Sequence, residues 1–248
     1  MNLYFFVEGE KTEKMVYSAW VPHVFAGLQK VGRVEDLQGS HFFVTSSMGY
    51  PFKKETLEAA VHDAARHDAH LFACFDAKDE SQEKKYGEIN KVIANLLHDL
   101  GRDISHSTII HNRCMETWFL GNRHFTKQNP QNWRMRACQQ HYPVSERDPE
   151  QMPVPGDFRG THAECHLAYL KAMFAEHLQM SYSKSRPGAV LEESHLAELA
   201  RRCRETGHLP SLNALLESWE GLGGKIPGTL SQALPGSQTP GPPFVTGW

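Results

Sequence analysis

The chain has 248 residues, of which 40% are hydrophobic, and its formal net charge is −3. This length and composition are typical of a globular protein that forms one large domain, or one domain with a smaller partner. The net charge excludes a strong overall positive field, so a nucleic-acid partner would have to be held by local basic patches.

Targeting and redox features of the sequence predict a cytoplasmic protein. No run approaches the roughly 20 apolar residues of a membrane span, and Leu3–Val7 is too short for a signal peptide and lacks a cleavage site. The 5 cysteines are scattered without a CxxC pair, which predicts reduced thiols. The 15 histidines are scattered too, so packing or solvated roles are favoured over metal ligation.

An apolar run at the start of the chain, Leu3–Val7, ends at Glu8 and Gly9. A polar segment and then a helical apolar pattern follow, which predicts a buried strand, a tight turn and a helix N-terminus. Ligands of open α/β sheets bind outside the carboxyl ends of the strands, so we expect Glu8 at the functional edge. Taken alone, this turn is equally compatible with a surface glutamate in an ordinary loop.

Strands and helices are predicted to alternate through the first half. Further strands are predicted over His41–Thr45, Leu71–Phe75 and Ser107–His111, with helices over Glu55–Arg66, Gln82–Leu100 and Cys114–Leu120. Continuous apolar strands between amphipathic helices indicate a parallel four-stranded, Rossmann-like α/β sheet covered on both faces. Right-handed crossovers would place all the strand ends on one edge.

Carboxylates follow three of these strands. Glu8 follows the first strand, Asp76 and Asp79 follow the third, and Glu116 lies just after the fourth. Converging carboxylates suit Mg²⁺ or Mn²⁺, which keep some water ligands and also bind phosphate oxygens. Alternatively, each acid serves a helix, with Asp76 or Asp79 as an N-cap and Glu116 in a first turn. Three acidic strand ends together favour the metal site.

Three segments resemble the Toprim fold. They are the Val-Glu-Gly-x-x-Thr-Glu opening at 7–13, the Asp-x-x-Asp strand end at 76–79, and Glu-Thr-Trp-Phe-Leu at 116–120. The chain is most similar to the small stand-alone Toprim-like proteins of prokaryotic defence loci, which are related to OLD-type nucleases and to RloB-like proteins. The resemblance covers about residues 1–125. It continues more weakly through residues 182–188 and 203–216.

The resemblance implies roles for the acidic residues. In Toprim proteins the first-strand glutamate is a general acid or base, and an aspartate pair holds Mg²⁺. Glu8 would then be the proton-transfer residue or a ligand of a second metal ion, and Asp76 and Asp79 would be metal ligands. The usual pair is Asp-x-Asp, whereas this chain has one residue more, which moves the second carboxylate. Glu13 and Glu116 are therefore further candidate ligands.

The second half has a different pattern. Residues 126–220 predict a mostly helical extension, with helices over His162–Met180, Leu191–Arg204 and Ser211–Trp219, and with Ser211 as an N-cap. Residues 221–248 are rich in Gly, Pro, Ser and Thr, which predicts a flexible tail whose apolar end could dock on a partner.

Basic residues provide candidate contacts for nucleic acid. The candidates are Arg113, Arg123, Lys127, Arg134, Arg136 and Arg186. Four of them alternate with Phe125 and Trp133, and such a pattern can track a phosphate backbone and stack bases, although a solvated connecting segment would look similar. Lys184, in a Ser/Pro/Gly loop, is a candidate catalytic residue that could clamp a phosphate, or else an ordinary surface lysine.

The sequence thus predicts a Toprim-like α/β domain over residues 1–125 with a helical extension. The expected function is Mg²⁺-dependent phosphodiester hydrolysis of DNA or RNA in anti-phage defence. One alternative is a conditionally active or non-catalytic subunit that docks on a partner ATPase, which the modest net charge favours slightly because free-standing nucleases usually have a more basic groove. Another is a phosphohydrolase for small esters. Homo-oligomer formation stays open.

Overall fold

A computed structural model describes residues 1–49, 53–127 and 129–228 of the chain, so the greater part of the predicted tail lies outside the described residues. Its centre is a parallel sheet of five strands in the order β2-β3-β1-β4-β5. The strands are β1 (Asn2–Val7), β2 (Gln29–Lys30), β3 (His41–Ser46), β4 (Ala69–Asp76) and β5 (His106–His111). The predicted α/β class with a parallel sheet is therefore confirmed.

The predicted number of strands was wrong, since the sheet has five strands and not four. The additional strand, β2, comprises only Gln29 and Lys30, which are both exposed and pair with His41 and Phe42 at one edge of the sheet. A strand of two exposed polar residues carries no apolar alternation or apolar run. Hydrophobic periodicity therefore could not reveal it.

Burial on both faces explains why the first apolar run forms the central strand. All six residues of β1 are buried. Leu3, Phe5 and Val7 pack into one hydrophobic cluster, while Tyr4 and Phe6 pack into the other. A strand covered on both sides is expected to be apolar along its length rather than alternating. Leu3–Val7 follows this pattern.

Eight α-helices surround the sheet or pack on the helices that cover it, in the part of the chain that the structure describes. They are α1 (Thr12–Val24), α2 (Lys54–Arg66), α3 (Gln82–Leu100), α4 (Met115–Phe119), α5 (Trp133–His141), α6 (His162–His177), α7 (Glu193–Thr206) and α8 (Pro210–Gly221). Helices α2 and α3 cover one face, and the remaining helices contribute to the cluster on the other face. No helix within the described ranges has both the length and the apolar character needed to cross a membrane.

The helices of the second half share a core with the sheet. Trp219 of α8 is fully buried, and its ring lies edge-on to Phe5 of β1 with 6.4 Å between the centroids. The Trp20 indole N–H of α1 donates to the Val190 carbonyl at 2.8 Å. Helix α5 was not predicted from the sequence because Met135 is its one fully covered residue, which leaves no apolar period to detect.

Ser211 has a different role from the predicted N-cap. Helix α8 begins at Pro210 after Leu209, and the Ser211 hydroxyl instead donates to Glu150 Oε1 at 2.6 Å while it accepts from Trp118 Nε1 at 2.7 Å. Glu150 is buried between these elements. Burial raises the pKa of Glu150 to about 7, although the hydrogen bond from Ser211 opposes the shift.

We predict that Glu150→Gln changes how stability depends on pH. Because the pKa of Glu150 is higher in the folded state than in the unfolded chain, its stabilising contribution is complete below the unfolded pKa and is lost as pH rises through about 7. The free energy of unfolding of the variant relative to wild type should rise by about 3 kcal/mol between pH 4 and pH 8. Urea denaturation at several pH values measures it, with the exposed Glu146→Gln as control. A constant difference between Glu150→Gln and wild type would contradict the assignment.

Candidate functional site

The ends of β1, β4 and β5 lie side by side at the carboxyl edge of the sheet. Val7 is paired with Cys74, and Asp76 is paired with His111. Glu8 follows β1 directly and is only 4% exposed. The register of the parallel strands therefore brings two acidic side chains and a histidine to the same edge.

Two donors hold the Glu8 carboxylate. The backbone N–H of Asp76 donates to Glu8 Oε2 at 3.2 Å, and the Lys78 ammonium group pairs with Glu8 Oε1. Both carboxylate oxygens are thus engaged by the loop that follows β4. Lys78 therefore points toward the site at the end of β1.

The loops after β4 and β5 are joined through two residues with left-handed backbone conformations. Lys78 has φ 55° and Arg113 has φ 73°, values that are uncommon for residues with a Cβ atom. The Lys78 N–H donates to the Arg113 carbonyl at 2.9 Å, and the Arg113 guanidinium donates back to the Lys78 carbonyl at 3.1 Å. This reciprocal pair fixes both loops at the edge of the site. Arg113, which the sequence predicts as a nucleic-acid contact, therefore also has a structural role in joining these two loops.

Glu13, in the first turn of α1, lies directly over Gly9. A Cβ atom at Gly9 would be 1.9 Å from Glu13 Oε2, and its next nearest neighbours would be other atoms of the same carboxylate. A side chain at position 9 would therefore displace the Glu13 carboxylate. Glycine at this position leaves room for that carboxylate.

The charges of Asp76 and Glu116 reach the Glu13 carboxylate. Burial raises the pKa of Glu13 to about 7, and the charges of Asp76 and, to a lesser extent, Glu116 add to the shift. Burial alone would lower the pKa of Lys184, but Glu116 and Cys114, followed by Glu13 and Asp76, outweigh it and raise that pKa. Three carboxylates from three different elements thus lie near enough to Lys184 to act on its pKa.

Glu116 is held from the segment that follows α6. The Tyr182 hydroxyl donates to Glu116 Oε1 at 3.2 Å, and Lys184 Nζ lies 3.5 Å from the same oxygen. Lys184 is anchored through its own carbonyl, which accepts from the Thr12 hydroxyl at 3.0 Å. The side chain of Lys184 is 53% exposed, so its ammonium group remains accessible to a ligand at the mouth of the site.

Asp79 lies apart from this group. Its carboxylate is 61% exposed, and Asp79 Oδ1 is 3.5 Å from Nδ1 of His162 on α6. The structure thus joins Asp76 with Glu13 and Glu116, while Asp79 faces a histidine. Neither aspartate caps α3, because the N-cap is Ser81, whose hydroxyl accepts from the Lys84 N–H at 3.2 Å.

The chemistry of the three carboxylates suits a hard divalent cation. Carboxylate oxygens are the preferred ligands of Mg²⁺ and Mn²⁺, and a cation would offset the burial and the neighbouring charges that together raise the pKa of Glu13. Among the residues that the structure describes, no group of three His, Cys, Asp or Glu side chains is arranged so that it could hold a metal ion. Mg²⁺ is typically bound by one or two carboxylates, waters and substrate phosphates, so a partial set of this kind is compatible with it.

Sequence patterns did not reveal three buried groups that support the site. His111 Nδ1 lies 2.8 Å from Asp76 Oδ1, and His111 Nε2 lies 3.0 Å from the Tyr17 hydroxyl. Tyr182 supports Glu116 from the second half of the chain. His111 ends a predicted strand next to Asp76, and Tyr17 lies one helical turn after Glu13. Their positions were therefore detectable, but their contacts with the acids were not.

Besides Arg113, two more of the predicted nucleic-acid contacts have structural partners. Arg123 donates to Glu198 at 2.8 Å and to Glu205 at 2.6 Å. Lys127 donates to the Glu176 carbonyl at 2.9 Å. These interactions fasten the segment before α5 to helices α6 and α7. Both cations therefore have a role in the fold that explains their positions.

The remaining cations of the patch lie on the surface. Arg134 and Arg136 are exposed on α5, and the Arg134 guanidinium lies 5.3 Å from the centroid of the exposed Trp133 ring. Arg186 is exposed in the loop beside Lys184. Phe125, in contrast, packs against Phe174 in the interior. The predicted alternation of cations with aromatic rings therefore persists on the surface at the start of α5, where Trp133, Arg134 and Arg136 are exposed.

We predict that Mn²⁺ raises the melting temperature of the protein through Asp76 and Glu13, because a ligand that binds only the folded state stabilises it. Asp76→Asn should abolish the shift. Gly9→Ala should reduce it by displacing Glu13, while Gly87→Ala, at a position with open space, serves as the matched control. Asp79→Asn should retain most of the shift. Thermal unfolding with and without Mn²⁺ measures the shift in melting temperature. Loss of the shift in Asp79→Asn, together with its retention in Asp76→Asn, would reverse the assignment.

We also predict that Arg134 and Arg136 contact phosphate. Replacing both with Ala should weaken nucleic-acid binding and reduce the log–log salt slope by about one unit per contact. Fluorescence anisotropy at several salt concentrations measures the slope, and the control is Arg33→Ala, at an exposed arginine shortly after β2. A slope equal to that of wild type would make both arginines ordinary surface residues.

Comparison with known proteins adds no further assignment. No protein-family model matches the chain, and no curated protein or solved structure matches it either. The Toprim resemblance therefore stays a prediction that depends on the three short segments. A parallel five-stranded sheet with helices on both faces is compatible with a Rossmann-like fold.

Proposed function

We propose that this protein hydrolyses phosphodiester bonds of nucleic acid with the help of Mg²⁺ or Mn²⁺ held at Glu13, Asp76 and Glu116. One observation carries the proposal. Three carboxylates from separate elements converge at the carboxyl edge of a parallel sheet, next to a half-exposed lysine. Ligand sites of open α/β folds lie at this edge.

The energetics of the acidic group support a cation there. Removing several carboxylates from water is costly unless an opposite charge compensates them. Lys184 pairs with Glu116, whereas burial and the charge of Asp76 raise the pKa of Glu13 to about 7. A bound divalent cation would polarise a phosphate oxygen and make a coordinated water a better nucleophile.

The chain's own cations suit the phosphate. Lys184 lies 3.5 Å from Glu116 Oε1 yet is half exposed, so it can donate to a phosphate oxygen while the acids hold the cation. Such donors stabilise charge that develops on the transferring group. Glu8 is the carboxylate that we assign to proton transfer, and Lys78 holds it in place beside Asp76.

A polymeric substrate is favoured by an exposed pair of cations beside an aromatic ring. Arg134 and Arg136 lie on α5 together with the exposed Trp133 ring. Cations beside an aromatic ring suit a chain of nucleotides better than a small ester. A role in antiviral defence, and a partner ATPase, are part of the proposal through the Toprim resemblance only.

The decisive experiment is a cleavage assay on plasmid, single-stranded DNA and RNA with Mg²⁺, Mn²⁺ or EDTA. We expect cleavage with either metal and none with EDTA. Glu8→Gln should lower the rate by a factor of about 100, the usual scale for a positioned acid or base. Glu10→Gln, an exposed glutamate of the same turn, is the matched control and should cleave at the wild-type rate.

Three results would contradict the proposal. Cleavage that persists in EDTA would exclude a divalent cation. A full rate in Glu8→Gln would exclude the assigned proton transfer. Cleavage of small phosphate esters but of no nucleic acid would favour the phosphohydrolase alternative.

A further inference from the structure

We infer that His111, held by Tyr17, positions the Asp76 carboxylate so that one of its oxygens is free for the cation. This inference rests on the proposed function, since it concerns the same site. It assigns a positioning role to two residues that do not reach the substrate side of the site.

The donors and acceptors of Asp76, His111 and Tyr17 set the direction of each hydrogen bond. An ionised Asp76 can only accept, so His111 Nδ1 must donate to Asp76 Oδ1 across the 2.8 Å contact. We infer that the imidazole is neutral in this network, so that its other nitrogen, Nε2, is an acceptor. The Tyr17 hydroxyl, 3.0 Å from Nε2, donates to it.

The three groups therefore form one chain in which each hydrogen is used once. It runs from Tyr17 through His111 to Asp76. Tyr17 is fully buried, and His111 is 1% exposed. Buried polar groups that are all satisfied specify one geometry, whereas a missing member leaves a costly unpaired group.

Packing holds the imidazole ring in this orientation. The indole of Trp118 meets the His111 ring edge-on, with 4.5 Å between the centroids and 76° between the planes. The Tyr17 ring lies on another side at 6.3 Å. The backbone adds a second constraint, because His111 and Asp76 are paired across β4 and β5. The ring consequently has little freedom to turn away from Asp76.

The consequence for Asp76 is a carboxylate with two different oxygens. Oδ1 is occupied by His111, so Oδ2 is the oxygen left for a cation or its water. A histidine that fixes a carboxylate ligand acts as an outer-shell group, and losing such a group typically lowers metal affinity about 10–100-fold. Asp76 sits 12% exposed at the opening, so Oδ2 can be reached from the site.

The test uses two variants, each of which keeps a polar group near the position of one of the two ring nitrogens of His111. In His111→Asn the amide nitrogen takes approximately the place of Nδ1 and can still donate to Asp76. In His111→Gln the amide group reaches approximately the place of Nε2, toward Tyr17, and the bond to Asp76 is lost. Isothermal titration with Mn²⁺ should show affinity lowered about 10–100-fold in His111→Gln and within about 3-fold of wild type in His111→Asn.

A second measurement, made on the metal-free protein, tests the hydrogen-bonded network itself. Long-range ¹H–¹⁵N spectra of the histidine rings should show His111 in the Nδ1–H tautomer in the metal-free wild type. Tyr17→Phe should shift the Nε2 resonance of His111, and His98→Gln, a change at an exposed histidine, should leave it in place. Observation of the Nε2–H tautomer would overturn the inference.

The titrations also separate this inference from the proposed function. Equal Mn²⁺ affinity in both His111 variants would overturn this inference alone, because His111 would then be a packing residue. Equal losses of Mn²⁺ affinity with equal falls in melting temperature would lead to the same conclusion. Absence of Mn²⁺ binding in wild type would overturn it together with the cation site. The expected affinities without any nucleic-acid cleavage would support the inference and count against the proposed reaction only.

Discussion

The parallel register of β1, β4 and β5 is the constraint on which the rest of the site depends. It pairs Val7 with Cys74 and Asp76 with His111, so the chain leaves all three strands at one edge. A shift of one residue would move each side chain to the other face of the sheet. The apolar residues of β1, packed on both faces, make such a shift costly and thereby hold Glu8 beside Asp76.

Buried charge at this edge is balanced from several parts of the chain. Lys78 pairs with Glu8, and Lys184 lies beside Glu116, so the loop after β4 and the segment after α6 each supply one cation. The second half of the chain therefore completes the site as well as covering the sheet. Burial and the neighbouring charge of Asp76 raise the pKa of Glu13, and we connect this buried, crowded carboxylate with cation binding.

The sequence was most informative where burial dictated the residue types. The apolar runs that became β1 and β4 revealed both strands and the acids that follow them, whereas β2, with two exposed residues, left no signal. The separation of Asp76 from Asp79 was not foreseeable in detail. It depends on the left-handed Lys78 and on His162 of a distant helix. The support of Asp76 by His111 and Tyr17 likewise depends on tertiary packing that no local pattern encodes.

Locating the cation directly would test the central claim, that Glu13, Asp76 and Glu116 form a divalent-cation site at the strand ends. Crystals grown with Mn²⁺ would be measured for anomalous scattering at the manganese edge. Our account predicts a peak within about 2.5 Å of carboxylate oxygens of Asp76 and at least one of the two glutamates, a distance usual for oxygen ligands of such ions. A peak at Asp79 and His162 with none at Asp76 would contradict it.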